Sequence, residues 1–166
     1  MILESVKKRK FIGFDSFEAG FKYFLEEDKH VNWKEGHLST SYFKVKKRLD
    51  KISKNDFILV SGLVENTLPE IYKNDYRVED YQIKKIAVML IDMDLKSPAI
   101  EALRFCKEKL QNGSIIIIDN YFNFKCDPNR GEFGAIQNFL EDENIILTDF
   151  GDYGVTGKIF IVSRIG

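Results

Sequence analysis

Short apolar runs divide this chain into predicted strands. The longest begins residues 86–95 (IAVMLIDMDL), where six consecutive apolar residues lead into Asp92 and, two places later, Asp94. An uninterrupted apolar run of this length is typical of a strand that is buried on both faces, as in parallel sheets covered by helices. Further strands are predicted at residues 10–15, 57–62, 114–119, 145–150 and 158–163.

Segments with helical periodicity alternate with these strands. After the central strand, Ser97 is placed to cap a helix whose first residue is Pro98. Other helices are predicted at residues 1–10, at 17–49 with a break at Gly36, after a turn at 66–69, and at 132–142. The link between the last two strands is short and contains glycine, which permits antiparallel pairing. The alternation predicts an α/β fold, with a mostly parallel sheet, helices on both faces and an antiparallel C-terminal strand pair.

Length and composition narrow the class of protein. A chain of 166 residues can bury one substantial core, and its 44% hydrophobic and 31% charged residues are typical of a soluble globular domain. With 25 basic and 26 acidic residues, the formal net charge of −1 gives no preference for nucleic acid or for a membrane surface. We recognise no signal peptide, and Cys106 and Cys126 lack metal-ligand spacing. We therefore expect free thiols and a cytoplasmic location.

Four aspartates stand at or just after the ends of predicted strands: Asp15, Asp92, Asp94 and Asp119. Because parallel strands share one carboxyl edge, these acids are expected to meet there, where open α/β folds bind ligands. Gathered carboxylates repel one another unless a cation or a raised pKa relieves the charge, and oxygen ligands favour Mg²⁺, Ca²⁺ or Mn²⁺. Each aspartate alone is more simply explained as a helix cap or turn residue. Together, the last three favour a metal site.

Four segments resemble the macrocin O-methyltransferase family, whose members are S-adenosylmethionine-dependent enzymes that methylate sugar hydroxyls. Residues 13–18 (GFDSFE) are similar to the family's GFDSFEG, and residues 61–69 (SGLVENTLP) to its glycine followed by a DTLP-like turn. Residues 91–95 (IDMDL) are similar to LDGDLY, and residues 113–121 (GSIIIIDNY) to GGxIIIDDY. The four segments follow the family's order.

The resemblance implies a Rossmann-like class I methyltransferase fold and a role for several residues. Those assigned to S-adenosylmethionine are Asp15, Ser16, Gly62 and Asp92. Those assigned to Mg²⁺ are Asp92, Asp119 and Asn120. Asp94 matches an acid that acts as the general base for the substrate hydroxyl. Asn120 departs from the family, which has a second acid there, so the metal site would carry one negative charge fewer.

The same resemblance implies that the family's first strand and its glycine-rich turn are missing. We therefore expect a single methyltransferase-like domain over residues 1–166 that is incomplete at its N-terminus. In this fold the missing strand lies mid-sheet, so the strands at 10–15 and 86–92 would each carry unpaired backbone groups. Either these two strands close up on each other, or another segment fills the slot, or the chain is a truncated product.

The leading interpretation is an S-adenosylmethionine- and Mg²⁺-dependent O-methyltransferase, or the C-terminal portion of one, acting on a sugar or polysaccharide hydroxyl. The alternative from another class is a metal-dependent glycosyltransferase-like domain, because Asp-x-Asp after an apolar strand also holds Mn²⁺ and a nucleotide sugar. A third interpretation is a non-catalytic remnant, or a subunit that needs a partner. It predicts poor solubility of the chain alone, or a homo-oligomer in the form of a dimer that exchanges segments. The expected ligand is a saccharide or another small molecule, not nucleic acid or a membrane.

Overall fold

The structure is a computed structural model that describes residues 9–22, 26, 29, 33–53, 56–73, 83–141 and 144–165. The helix predicted at residues 1–10 lies almost wholly outside these ranges.

Six strands and four α-helices alternate within the described residues. The strands are β1 (Phe11–Asp15), β2 (Phe57–Ser61), β3 (Val88–Ile91), β4 (Ile115–Ile118), β5 (Ile145–Tyr153) and β6 (Gly157–Ile165). The helices are α1 (Tyr42–Ile52), α2 (Val64–Lys73), α3 (Lys96–Lys107) and α4 (Gly131–Leu140). All six predicted strands are therefore present and in the predicted order.

The strands form two sheets. β1 pairs with β2 in parallel, and the second sheet has the order β3–β4–β6–β5. In that sheet β3 and β4 run parallel, whereas β6 is antiparallel to both β4 and β5. The parallel pairs and the antiparallel C-terminal pair are those that the sequence predicts. In the described residues β1 and β3 belong to separate sheets, so these two strands do not close up on each other.

One hydrophobic core covers one face of the four-stranded sheet. The strand residues at its centre are at most 1% exposed: Ile91, Ile116, Ile118 and Val162. The helices α2, α3 and α4 contribute, among others, Ile71, Leu103 and Ile136. On β1, the Phe14 ring meets Phe105 of α3 edge to face, with centroids 6.0 Å apart. Each fully buried large apolar side chain stabilises the fold by about 1.5–3 kcal/mol, and the contact between Phe14 and Phe105 attaches the two-stranded sheet to the same core.

β3 is buried on one face only, so the predicted burial on both faces is wrong. Met89 and Ile91 are 8% and 1% exposed, whereas Val88 and Leu90 are 58% and 57% exposed. Successive side chains of a strand point to opposite faces, and the described helices α2, α3 and α4 share the core on the side of Met89 and Ile91. An all-apolar run therefore permits burial of both faces but does not determine what covers them.

The first half of the predicted N-terminal helical stretch is also wrong where the structure describes it. At its start, Phe17–Ala19 form a short 3₁₀ helix rather than the first turn of an α-helix. Beyond it the Phe21 N–H donates to the His37 carbonyl, and the Gly36 N–H donates to the Phe21 carbonyl, both at 2.8 Å. Gly20 has a φ of 63°, and a Cβ there would lie 2.7 Å from the Gly36 oxygen. Contacts between distant parts of the segment thus replace the regular helix.

Two helices start earlier than the sequence predicts. α2 already begins at Val64 and contains Pro69, where the sequence predicts a turn. α3 begins at Lys96, so Ser97 and Pro98 are its second and third residues rather than its cap and first residue. Neither shift moves the aspartates, which precede the helices. In the described part of the chain, no helix combines the length and the apolar character needed to span a bilayer.

Candidate cofactor and metal site

Asp92 and Asp119 follow β3 and β4 at the same end of the sheet. These strands are parallel and place Ile91 opposite Ile118, so the next residue of each strand leaves the sheet beside the other. The Asp119 N–H donates to the Ile91 carbonyl at 2.9 Å, which extends the ladder one residue past β4. The two acids are far apart in sequence and adjacent at the carboxyl edge of the sheet.

Asp15 ends β1 and lies beside the end of β2. The Gly62 N–H donates to the Asp15 carbonyl at 3.0 Å, and the Asp15 carboxylate accepts from the Phe17 N–H at 2.5 Å. Gly62 has a φ of 134°, and a Cβ there would lie 2.7 Å from the Thr67 side chain. A residue with a side chain would be strained and crowded at this position. Glycine therefore permits the turn whose N–H holds the Asp15 carbonyl in place.

A cavity of about 130 Å³ lies between the carboxyl ends of β1 and β3. Its lining includes Asp15, Ser16, Phe21, Val64, Asp92 and Asp94. The Ser16 hydroxyl donates to the Gly20 carbonyl at 2.8 Å and keeps its lone pairs as acceptors. Gly62 is not part of the lining, although its neighbour Leu63 is. Ordinary small-molecule sites measure roughly 300–1,000 Å³, so this cavity can hold a part of a cofactor such as S-adenosylmethionine rather than all of it.

Burial and mutual repulsion raise the pKa of two of these acids. For Asp92 the largest cause is desolvation, followed by the charges of Asp119 and Asp15. For Asp94 desolvation is again the largest cause, and the charges of Asp92 and Asp119 add to it, so that its pKa rises to about 6. Acids from both sheets therefore act on one another, as like charges in a partly buried site do. A carboxyl group with such a pKa can accept a proton near neutral pH.

The donor set of Asp92, Asp119 and Asn120 fits a hard cation with one adjustment. All three side chains offer oxygen, which Mg²⁺ prefers. The Asn120 amide turns its nitrogen toward the Asp92 carboxylate at 3.4 Å, while its oxygen accepts from the Asn123 amide at 2.6 Å. Because amide oxygen and nitrogen are assigned from their hydrogen bonds, a joint half-turn of the Asn120 and Asn123 amides presents the Asn120 oxygen to the Asp92 side and keeps the bond between the two amides.

The described residues contain no group of three Asp, Glu, His or Cys side chains that could hold one metal ion. The metal site that the sequence predicts from Asp92, Asp94 and Asp119 together is therefore not found in the described part of the chain. The set that is left is the one that the family resemblance implies, with two carboxylates and one amide oxygen from Asp92, Asp119 and Asn120. Such a set carries less negative charge than three acids would, and charge on the ligands is what makes a site attractive to a divalent cation.

Glu132 belongs to the site, and sequence reasoning missed it. It is the second residue of α4 and only 1% exposed. Its Oε1 accepts from the N–H groups of Met93 at 2.6 Å and Asp94 at 3.0 Å, and its Oε2 accepts from the Asn120 N–H at 2.9 Å. Burial raises the pKa of Glu132 to about 8, although these three N–H groups lower it. A signal existed in the sequence, because Glu132 falls on the same helical face as Ile136, four residues later.

Tyr153 also reaches the site and was not predicted. Its hydroxyl donates to Oδ1 of Asp119. Burial and this carboxylate both raise the pKa of Tyr153, so the hydroxyl stays a donor. Tyr153 ends β5, and only the pairing of β5 with β6 and of β6 with β4 brings it to Asp119. No local pattern in the sequence could have indicated that contact.

Several solved methyltransferase structures share the fold of this chain. The calicheamicin methyltransferase CalS11 matches with a TM-score of 0.64 and 23% identity, over 92% of this chain and 60% of that one. The O-methyltransferase NovP matches with 0.67 and 19%, over 96% and 62%. An O-methyltransferase from Bacillus cereus, in complex with SAH, matches with 0.51 and 16%, over 95% and 74%. The fold is that of class I methyltransferases, and the chain spans about three fifths of the length of the first two.

The family follows from the sequence match. A family described as Macrocin-O-methyltransferase (TylF) matches residues 1–150. The chain therefore belongs to the macrocin-O-methyltransferase family, as the four segments predict. No curated protein sequence matches this chain.

Proposed function

We propose that this chain is an S-adenosylmethionine- and Mg²⁺-dependent O-methyltransferase, or the C-terminal portion of one, that acts on a sugar or polysaccharide hydroxyl. The observation that carries the proposal is the family match over residues 1–150, together with the acids of two sheets that adjoin one cavity. One solved structure of similar fold is that of a TDP-rhamnose 3'-O-methyltransferase, which supports a sugar hydroxyl as the class of acceptor.

We assign Asp15, Ser16, Asp92 and Gly62 to S-adenosylmethionine. The first three line the cavity, and the Gly62 N–H donates to the Asp15 carbonyl. In Rossmann-like folds an acid beyond a strand end accepts hydrogen bonds from ribose hydroxyls. Asp15 has this position after β1, with one carboxylate oxygen engaged by the Phe17 N–H. The lining also includes the apolar side chains of Phe14, Phe21 and Val64, which suit the face of a nucleobase. Methyl transfer then requires only in-line placement of donor and acceptor.

For the metal we assign Asp92, Asp119 and Asn120. Bound there, Mg²⁺ would stabilise negative charge on the acceptor oxygen. Asp94 lines the cavity two residues beyond Asp92, and we assign it the role of the base that removes the proton from the acceptor hydroxyl. A sugar hydroxyl is a poor nucleophile while protonated, so this proton transfer is the contribution that the chain's own residues would make. Tyr153, by holding one oxygen of Asp119, leaves the other available for the ion.

Isothermal titration of the chain with S-adenosylhomocysteine, with and without Mg²⁺, tests this proposal. We expect binding of both ligands, and we expect Asp92→Ala to weaken Mg²⁺ binding by roughly tenfold or more, because even the loss of a residue that only hydrogen-bonds to a metal ligand commonly costs that much. Asp50→Ala is the matched control. It removes an exposed carboxylate on α1 that pairs with Lys46 at 3.1 Å, far from the strand-end acids in sequence. Unchanged Mg²⁺ affinity in Asp92→Ala would remove Asp92 from the metal site.

The same ligands separate the alternatives. Absence of S-adenosylhomocysteine binding at millimolar concentration would overturn catalysis by this chain alone, while family membership would stand. Thermal stabilisation by a nucleoside diphosphate with Mn²⁺, and none by S-adenosylhomocysteine, would favour the glycosyltransferase-like interpretation. A dimer in solution whose dilution abolishes binding would favour a subunit that needs a partner. The cytoplasmic location stays a prediction.

A further inference from the structure

One buried carboxyl group connects the two loops that carry the candidate catalytic and metal residues. Oε1 of Glu132 accepts from the successive N–H groups of Met93 and Asp94, in the loop after β3. Oε2 accepts from the Asn120 N–H, in the loop after β4. Glu132 itself is part of α4, so three separate elements meet at this side chain.

The backbone of the loop after β3 is shaped for this contact. Asp94 has a φ of 62°, a left-handed conformation that non-glycine residues rarely adopt and that carries a conformational cost. In this conformation two successive N–H groups can converge on one acceptor, as in the backbone concavities that bind anions. The Glu132 oxygen thus occupies the position of the anion and offsets the cost at Asp94.

Burial of Glu132 also requires these partners. The side chain is 1% exposed, and a buried carboxyl group without hydrogen bonds is strongly destabilising. Three backbone donors satisfy both of its oxygens. The loops after β3 and β4 therefore make burial of the Glu132 carboxyl group possible, and the carboxyl group in turn holds the two loops in position.

We propose that Glu132 is a positioning residue that holds Asp94 and Asn120 in one fixed relation, and this inference rests on the function proposed above for those two residues. Glu132 is not among the residues that line the cavity between the strand ends, so its effect on a ligand acts through the two loops. Side chains of the site then need not be reordered when a ligand binds, which is the preorganisation that precise placement of reacting groups requires.

Glu132→Gln tests the proposal with little change in shape. The amide oxygen can still accept from Met93 and Asp94, but the NH₂ group then faces the Asn120 N–H, where two donors oppose each other. We expect the amide exchange of Asn120 to become at least roughly tenfold faster, and Glu132→Ala to speed exchange at all three amides. Hydrogen exchange read by NMR at Met93, Asp94 and Asn120 gives the result without any assay of activity.

Ile136→Val is the matched control. Ile136 is fully buried on the same helix and makes none of the three hydrogen bonds, so its variant lowers the melting temperature without loosening either loop. We expect Glu132→Gln to weaken Mg²⁺ binding at least roughly fivefold in isothermal titration, and the control to leave it unchanged. If Glu132→Ala fails to fold, the Gln variant and its control still decide the question.

The outcomes separate this inference from the proposed function. Exchange rates in Glu132→Gln equal to those of the control would overturn the anchoring role. Faster exchange with unchanged affinity for Mg²⁺ and S-adenosylhomocysteine would also overturn it, because the carboxyl group would then be structural only. If the unaltered chain binds neither ligand, the proposed function fails, and the positioning role that depends on it fails as well, even where exchange shows that the loops are anchored.

Discussion

At Gly62 a single backbone conformation determines where an acid of the candidate site lies. The residue turns the chain from β2 toward α2 with a φ of 134°, and its N–H donates to the Asp15 carbonyl at 3.0 Å. This bond joins the ends of β1 and β2 beyond the last paired residues. The position of Asp15 therefore depends on a turn that is remote from it in sequence.

We expect Gly62→Ala to destabilise the fold by about 1–3 kcal/mol, since a side chain at this φ is strained and its Cβ would lie 2.7 Å from Thr67. Gly36→Ala is the control, because Gly36 has a φ of 82° but an added Cβ there meets nothing within 4 Å. The difference between the two variants in urea denaturation isolates the steric effect at Gly62. Equal losses would mean that Thr67 moves aside without cost.

Site residues that directly follow an apolar strand are predictable from the sequence. Site residues that reach the site only through tertiary contacts are not. Asp92 and Asp119 each end an apolar strand, and the parallel pairing of the strands brings them together without further information. Glu132 stands at the start of a predicted helix on the same face as Ile136, which indicates a buried position but not which loops its carboxyl group contacts. Tyr153 depends on the pairing of three strands.

Truncation of a side chain should cost much more stability on one face of β3 than on the other. Ile91 is 1% exposed and Leu90 is 57% exposed, although both continue the same apolar run. We expect Ile91→Ala to cost about 2–5 kcal/mol, as truncations in a packed core do, and Leu90→Ala to cost less than about 1 kcal/mol. Chemical denaturation of the two variants measures the difference directly. A loss at Leu90 as large as that at Ile91 would indicate that the outer face of β3 is covered in solution.

The helices and strands that are determined by their own local sequence are predicted correctly, and segments that are determined by contacts with distant residues are not. All six strands follow from apolar runs, because each run is long enough to specify a strand whatever its neighbours. After β1 the sequence has a helical pattern, but the described residues between Phe17 and Gly36 form no α-helix, since the hydrogen bonds between Phe21 and the Gly36–His37 turn join residues that no periodicity connects. The prediction that both faces of β3 are buried is wrong for the same reason, because burial of a face depends on the elements that pack against it.

For the whole molecule the division into two sheets is the main feature. The family resemblance predicts a gap between the strands at 10–15 and 86–92, and the structure has β1 and β3 in different sheets. Their acids nevertheless face one cavity, and the pKa of Asp92 is raised first by burial, then by the charge of Asp119 and also by that of Asp15. The core under α3 thus holds the two sheets together without a hydrogen-bonded strand between them in the described residues.

This division predicts that the two sheets open separately. A two-stranded sheet is marginal by itself, so we expect the amides of β1 to exchange at least roughly tenfold faster than those of β4, which has a strand on each side.

A ligand that spans the cavity requires both sheets to be in place. S-adenosylhomocysteine at about a hundred times its dissociation constant should therefore stabilise the closed state by about 2.7 kcal/mol and slow exchange in β1 roughly a hundredfold. Equal rates in β1 and β4 without ligand would mean that the sheets unfold as one unit. Slowing confined to the β4 amides would instead mean that the ligand does not bridge the sheets, because only the edge that contacts it would be held closed.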